Sequence, residues 1–133
     1  MGNRAVICFD EYNDEAIGIY LHWNGGRDSV ESFLEATRRV MGDRLGDEQY
    51  SRARLMQVIG TAIPGNLSFG LAQCKNLDTD NYDNGTYVVD SATMTITQRL
   101  FFSGPEQNEY DVNEFATVIV EAIKAGEAVR SPE

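Results

Sequence analysis

His22 is the only histidine of the chain, and its chemistry depends on which partners the fold brings to it. A hydrolytic site would pair it with a nucleophile such as Cys8. If residues 4–9 and 17–23 form a hairpin, Cys8 lies opposite Gly18, four residues along the strand from His22. At ~3.3 Å per residue the separation is ~13 Å, which is too long for His22 to activate the thiol. Cys74 stays open as a second candidate nucleophile, but nothing in the sequence places it near His22, so we predict no catalytic residue and interpret His22 as a surface-facing group that forms hydrogen bonds.

The turn at 24–26 reads Asn-Gly-Gly and joins a predicted strand to a predicted helix. Its glycines allow positive φ angles, and its N–H groups, with those of the helix start, can hold an anion or a partner side chain. Asp28, with Glu31 three residues later, is predicted to cap the helix. Neither GxGxxG nor GxxxxGK[ST] is present, so nucleotide binding is an alternative and not the main prediction. The predicted binding residues at this end are Tyr20, His22, Asn24, Gly25, Gly26 and Arg27.

The segment 76–85 concentrates carboxylates and amides, which are ligand types that calcium prefers. An EF-hand loop beginning at Asp78 needs an oxygen ligand at its fifth position, glycine at its sixth and glutamate at its twelfth. The chain has Tyr82, Asp83 and Val89 there, so we predict neither a metal nor a cofactor. Asx turns leading into a strand explain the composition, and a row of carboxylates can also enter an arginine-rich groove. The predicted contact residues of this segment are Asp78, Asp80 and Asp83.

Charge composition narrows the class of partner. The chain has 11 Lys and Arg residues against 21 Asp and Glu residues, a net charge of −10. A field of this sign repels nucleic acids and anionic membranes and favours a protein partner with a basic surface. No apolar run is long enough to span a bilayer, and residues 1–9 turn polar too early for a signal peptide. Cys8 and Cys74 have no CxxC spacing, which is typical of buried, unreactive thiols, so a cytoplasmic location is expected.

Alternation of apolar and polar residues predicts the hairpin of residues 4–9 and 17–23, with Ile7 opposite Ile19. Its odd-numbered side chains form one apolar face, which is predicted to be buried. They are Ala5, Ile7, Phe9, Ile17, Ile19, Leu21 and Trp23. The even-numbered face is mixed, so a sheet with one covered face is expected.

Helical periodicity predicts three helices, near residues 29–41, 47–61 and 112–126. Gly42 and Pro64-Gly65 are expected to end the first two helices. The apolar stripes of the three helices are predicted to pack on the hairpin. They include Val30, Phe33, Leu34, Leu55, Ile59, Phe115, Ile119 and Ile123.

The last helix has the clearest start signals. Asp111 is its predicted N-cap, and Glu114 completes a capping box. Tyr110 and Phe115 are spaced to form a hydrophobic staple across the helix start. Gly126 is expected to end the helix.

Three further strands are predicted at residues 67–72, 86–90 and 94–101. The last two are expected to form a hairpin with Val88 opposite Ile96, both towards the core. The element order ββααβββα indicates an α+β fold, with an antiparallel sheet of about five strands and the helices on one face. The chain is predicted to form a single domain at 1–126, followed by a flexible tail at 127–133.

Three segments have a distinctive combined sequence: IYLHWNGGRDSV at 19–30, DTDNYDNGTYVV at 78–89 and GPEQNEYD at 104–111. Together they resemble a family of small acidic proteins carried by phages, plasmids and integrated mobile elements. The resemblance extends from Asn3 to about Ile123. It implies a genomic setting and no catalytic residue, since no activity is assigned to that family. Small acidic proteins of such elements often bind and block host defence proteins, as anti-CRISPR proteins do.

These observations favour a non-enzymatic acidic protein that blocks or modulates a host protein by binding its basic surface. The alternative is a small-molecule or nucleotide-binding domain, or a weak enzyme, at His22 and the turn 24–26. A structural or assembly protein of the mobile element is the third hypothesis. Capture of a protein partner separates the first hypothesis from the other two.

Overall fold

The computed structural model describes residues 3–63, 67–102 and 109–130, with side chains as far as Gly126. Its elements follow the predicted order ββααβββα, so the α+β class is confirmed. The strands are β1 (Ala5–Phe9), β2 (Ile17–Leu21), β3 (Phe69–Gln73), β4 (Thr86–Asp90) and β5 (Thr95–Leu100). The helices are α1 (Arg27–Met41), α2 (Glu48–Ala62) and α3 (Val112–Arg130), with 3-10 turns at Gly42–Arg44 and Cys74–Asn76. No helix within the described ranges is both long and apolar enough to cross a membrane.

The five strands form one sheet in the order β3-β2-β1-β4-β5. Neighbouring strands are antiparallel except for β1 and β4, which run parallel. A parallel pair needs a long crossover connection, and the chain between these two strands supplies one that contains α1 and α2. The sheet that the sequence predicted as antiparallel is therefore mixed, with its parallel pair at the centre.

The first hairpin has the predicted register, with Ile7 opposite Ile19 and Cys8 opposite Gly18. Its odd-numbered side chains face the helices, and Ile19 and Leu21 are completely buried. The helices therefore cover this face of the sheet, as predicted. The core cluster also includes Phe33, Leu34, Leu55, Val58, Ile59, Tyr87, Val89 and Ile119.

Three residues predicted to be buried are not. Ile17 and Trp23 each leave 44% of their surface exposed, and Phe115 is only partly buried. Ile17 lies at the first position of β2 and next to the edge strand β3, where Leu71 is exposed as well. Trp23 lies beyond the last residue of β2, and the chain turns at Asn24, whose φ is +60°. Strand alternation no longer decides where a side chain points once the strand has ended.

The second hairpin differs from its predicted register. Val89 and not Val88 lies opposite Ile96, and a bulge interrupts the pairing between Val88 and Val89. The turn is longer than predicted because Met94 adopts a φ of +54° and donates its N–H to the Asp90 carbonyl. This shift places Val89 in the core cluster and directs Val88 to the opposite face of the sheet.

Asp28 is not the cap of α1. The helix begins two residues earlier than that role requires, with Gly26 at the N-cap and no side-chain cap. Asp28 is 6% exposed, and its Oδ2 accepts hydrogen bonds from the N–H groups of Glu109, at 2.5 Å, and Tyr110, at 2.7 Å. Asp28 therefore fastens the chain that enters α3 to the start of α1.

The predicted N-cap and hydrophobic staple at the start of α3 are confirmed. Asp111 Oδ1 accepts the N–H of Glu114 at 3.0 Å, and the rings of Tyr110 and Phe115 stack at 4.8 Å. The predicted end is wrong, because the helix continues through Gly126 to Arg130. The predicted breaker at 64–65 and positions 103–108 of the predicted loop lie outside the described residues.

Candidate functional site

The face of the sheet opposite the helices is partly covered by the segment 74–85. Val6 and Cys8 of β1 lie on that face and are completely buried. The segment is fixed to Arg4, the residue before β1, by hydrogen bonds from the Asn84 side chain and N–H to the Arg4 carbonyl, at 2.9 and 3.1 Å. The mixed composition of the even-numbered face thus reflects a second, smaller buried layer.

Asn81 organises this acidic segment. Its side chain is completely buried, and its Oδ1 accepts the N–H groups of Asp83, at 3.2 Å, and Gly85, at 3.0 Å. Its Nδ2 donates to the carbonyls of Asp78 and Gly85. These contacts are of the Asx-turn type that the sequence favours over a calcium loop. Among the residues that the structure describes, no three carboxylate, cysteine or histidine side chains are grouped to hold a metal ion.

Arg4 neutralises part of the acidic segment. Its Nε lies 2.8 Å from Asp83 Oδ2, and its backbone N–H donates to the same oxygen at 3.2 Å. Its Nη1 lies 3.9 Å from Asp78 Oδ2. Asp80 is exposed on the same segment. Asp83 is thus mainly a structural anchor of this segment, whereas Asp78 and Asp80 present their carboxylates to solvent.

The Arg4–Asp83 pair makes stability depend on pH. Partial burial opposes ionisation of Asp83, but the hydrogen bonds and charge of Arg4 outweigh it and lower the pKa below the ordinary value of 3.8. A lowered pKa in the folded state stabilises the fold above pH ~4, and this stabilisation is lost as the pH falls through the folded-state pKa. We expect the free energy of unfolding to decline more steeply below pH ~4 in the wild type than in Asp83→Asn.

Urea unfolding at several pH values between about 7 and 2.5 measures this difference. Asp80→Asn is the matched control, because it removes an exposed carboxylate from the same segment. Parallel pH profiles for the wild type and Asp83→Asn would contradict the role given to this pair.

Tyr20 and His22 lie together at the open end of the same face. The Tyr20 hydroxyl and His22 Nδ1 are 3.0 Å apart, and the ring of Trp23 meets the imidazole edge-on at 5.0 Å. Burial raises the pKa of Tyr20, the charges of Asp78 and Asp83 raise it further, and Arg4 opposes them. Arg4, which the hairpin register places opposite His22, pairs with Asp83 and so joins the acidic segment to the end of the sheet that carries the aromatic residues.

An open groove of about 570 Å³ follows this surface along the edge strand β3. Its lining residues are Tyr20, His22, Trp23, Leu67, Ser68, Phe69 and Gly70. Trp23 contributes its exposed ring to the groove, and Leu67 is fully exposed. The His22 N–H donates to the Ser68 carbonyl at 2.8 Å, so the groove floor is held by strand pairing.

The glycine turn is packed more tightly than its sequence suggests. Gly25 is buried, its N–H donates to the Asn3 carbonyl at 2.8 Å, and its own carbonyl accepts the Tyr87 hydroxyl at 2.8 Å. A Cβ on Gly25 would lie 2.5 Å from the Asn3 oxygen, so the glycine is needed for close approach. The positive φ of the turn belongs to Asn24, whereas Gly26 has a φ of −63°. These contacts are typical of a structural junction, and ligand binding at the turn stays a prediction.

Arg27 begins α1 next to this turn. Its side chain is 43% exposed, and its Nε lies 3.7 Å from the Glu31 carboxylate, one helical turn away. The negative charge of Glu31 partly offsets the positive charge that Arg27 could present to an anion. The offset is small, because exposed ion pairs one helical turn apart are weak.

Sequence reasoning missed Arg4 and Leu67 at this site. A signal for Arg4 was present, because the confirmed hairpin register, extended by one residue pair, places it opposite His22. Sequence reasoning also missed the partners of Asp10, whose carboxylate accepts hydrogen bonds from Ser91, at 2.8 and 2.9 Å, and from Arg52 at 3.4 Å. No local pattern joins these residues, which lie in three different parts of the chain.

No protein-family model, curated protein or solved structure matches this chain.

Proposed function

We propose that this protein acts by binding a partner protein with a basic surface. The contact surface would be the binding patch, which we define as Tyr20, His22, Trp23, Leu67, Asp78 and Asp80. The observation that carries this proposal is the exposure of a tryptophan and a leucine along one groove, together with the solvent-facing carboxylates of the acidic segment that Arg4 joins to the same end of the sheet. Aromatic anchors supply most of the energy at protein interfaces, and carboxylates pair with arginine in directed hydrogen bonds.

The charge of the whole chain supports the same class of partner. A net charge of −10 attracts a basic surface over distances of about a Debye length and increases the rate of association. The resemblance to proteins of mobile elements suggests what kind of protein the partner is. It would be a host protein, in particular a defence protein that the mobile element must block. Anti-CRISPR-like inhibition is therefore the form of activity that we propose for the complex.

The experiment is capture of partners from a bacterial host lysate, followed by measurement of affinity for the captured protein with variants of the patch. We expect Trp23→Ala to weaken binding at least about tenfold, which corresponds to roughly 1.4 kcal/mol. The double substitution of Asp78 and Asp80 by Asn is expected to slow association and to weaken its salt dependence between about 50 and 300 mM salt. Asp83 is left intact in this variant because it anchors the segment to Arg4.

Tyr50→Ala is the matched control. Tyr50 is an aromatic residue that is 53% exposed, and it lies on α2 and outside the patch. It should bind like the wild type, and far-ultraviolet circular dichroism should show that every variant is folded. Equal affinity of Trp23→Ala and the wild type would reject the binding patch as the contact surface.

A small-molecule or nucleotide ligand is the second candidate function. The groove beside Tyr20 and His22 has a volume within the range of ligand sites, roughly 300–1,000 Å³. The paired hydroxyl and imidazole could orient a polar ligand there. A thermal-shift screen with nucleotides distinguishes this candidate, since a ligand that binds the folded state raises the melting temperature.

A further inference from the structure

The two cysteines of the chain meet in the layer beneath the acidic segment. Cys74 Sγ lies 2.8 Å from Cys8 Sγ, and both residues are completely buried. A disulfide bond has an S–S distance of ~2.05 Å, so the two thiols lie within about 1 Å of bonding distance. The sequence, which separates them by 66 positions, predicted two unrelated thiols.

This contact crosses a strand. Cys8 belongs to β1 and Cys74 follows β3, with β2 between them. The Cys74 N–H donates to the Ala16 carbonyl at 2.7 Å, which fixes the backbone of Cys74 on the far side of β2. Its side chain must therefore pass over β2 in order to reach Cys8.

Gly18 provides the space for that crossing. It lies opposite Cys8 in the hairpin, and a Cβ on Gly18 would come within 2.7 Å of Cys74 Sγ and 2.9 Å of the Ile7 carbonyl oxygen. Glycine inside a strand weakens it, so its presence often marks a close approach by another group. The approaching group here is the sulfur of Cys74.

The surroundings keep both sulfurs protonated. Burial raises the pKa of Cys8, and the neighbouring Cys74 thiol raises it further; burial also raises the pKa of Cys74. Cys8 Sγ also lies 3.3 Å from the Glu11 carbonyl oxygen, which can accept its proton in a hydrogen bond. Because the thiolate is the reactive form, the closed structure reacts slowly, and oxidation requires a transient opening of the segment 74–85.

We propose that Cys8 and Cys74 form a dithiol–disulfide site, which a small-molecule disulfide such as oxidised glutathione converts to an intramolecular bond. One cysteine, as its thiolate, attacks the glutathione disulfide, forms a mixed disulfide and releases one glutathione thiolate. The second cysteine, also as its thiolate, then attacks the protein sulfur of the mixed disulfide and releases the second glutathione. The two protein thiols lose two electrons and two protons, and the oxidant becomes two molecules of reduced glutathione.

The bond would tie the central strand β1 to the end of the edge strand β3. It would enclose the part of the chain that contains β2, α1 and α2, which restricts the unfolded chain and stabilises the folded state. It would also hold the start of the segment that carries Asp78. The oxidation state of the pair therefore controls how firmly the sheet edge and the acidic segment are attached.

The experiment equilibrates the full chain in glutathione buffers of increasing oxidised fraction. Low urea is included so that the segment can open, and it is then removed by dialysis. Free thiols are alkylated, and the protein is digested with trypsin. Oxidation should link peptide 5–27, which contains Cys8, to peptide 55–75, which contains Cys74. The melting temperature of the oxidised protein should exceed that of the reduced protein by roughly 10 °C.

Cys8→Ser and Cys74→Ser should each lack the linked peptide, and their melting temperatures should not respond to the glutathione ratio. Gly18→Ala should reduce cross-linking at a given ratio, because its methyl group occupies the path of the Cys74 sulfur. The proposal is overturned if the wild type keeps two free thiols in fully oxidised glutathione or forms only intermolecular disulfides. It is equally overturned if the cross-linked monomer melts at or below the temperature of the reduced protein.

Discussion

Gly85→Ala is expected to lower the free energy of unfolding by about 4 kcal/mol or more, a large fraction of the stability of a typical domain. Gly85 adopts a φ of +69°, which L-residues with a side chain rarely adopt. A Cβ there would overlap the Leu100 carbonyl oxygen and lie 2.5 Å from the carbonyl carbon of Phe101. These neighbours are backbone atoms, so no side-chain rotation can relieve the overlap. The strain would fall where the acidic segment enters β4, so both the sheet and the binding patch depend on this position.

Gly70→Ala is the matched control for this prediction. Gly70 lies in the edge strand β3, its φ is not positive, and a Cβ there would meet no atom within 4 Å. The same chemical change should alter stability by no more than about 1 kcal/mol, because only the unfolded-chain entropy and strand propensity change. Urea unfolding measures the free energy of unfolding of both variants, and a low yield of soluble protein indicates a severe loss of stability. A Gly85→Ala protein as stable as Gly70→Ala would show that the positive φ and the close contacts are not required.

Phe33→Ala should lower the free energy of unfolding by about 3–5 kcal/mol. Phe33 is completely buried in the middle of α1, within the core cluster that joins the helices to the sheet. Its ring packs edge-to-face against Phe115 of α3, with centroids 5.9 Å apart. Truncation therefore removes buried apolar area, leaves a cavity and weakens the contact between α1 and α3.

Phe115→Ala tests which of the two rings in this contact contributes more to stability. Phe115 is only partly buried, so its truncation should cost about half as much as that of Phe33. The double variant should show a coupling of about 0.5–1.5 kcal/mol, as expected for an aromatic pair. Guanidinium unfolding with a constant m-value gives the loss of unfolding free energy for each single variant and the coupling energy of the pair. Phe33→Leu replaces Phe33→Ala if the latter does not fold. A larger loss for Phe115→Ala than for Phe33→Ala would contradict the placement of the core.

Local sequence patterns were sufficient for the element order, the first hairpin and the start of α3. The alternation of Ile7 and Ile19 with their neighbours leaves one register that places the apolar residues on a single face, and the structure has that register. Asp111 and Tyr110 act within one helical turn, so their roles as cap and staple depend only on nearby residues. Asx turns were likewise one explanation for the composition of the acidic segment, and the contacts of Asn81 confirm that explanation.

Patterns of this kind do not report where an element ends in space or what covers it. Trp23 was assigned to the core because strand alternation was extended past the end of β2, where the turn at Asn24 redirects the chain. Val88 was assigned to the core because composition reveals neither the longer turn that ends at Met94 nor the bulge between Val88 and Val89. Both errors arise at a break in local periodicity.

The sequence by itself determined which residues of the first hairpin alternate, where α3 begins, and that the chain carries a large negative charge. Only the tertiary structure decided that β1 and β4 run parallel, that Arg4 binds Asp83, that Asp28 holds the entry to α3, and that Cys8 meets Cys74. The physical reason is the range of the interactions. Periodicity and capping are set by residues within a few positions of one another, whereas these four contacts join groups about 66–82 positions apart in the sequence. Packing of the whole chain brings such groups together, and local patterns in a single sequence do not predict these contacts.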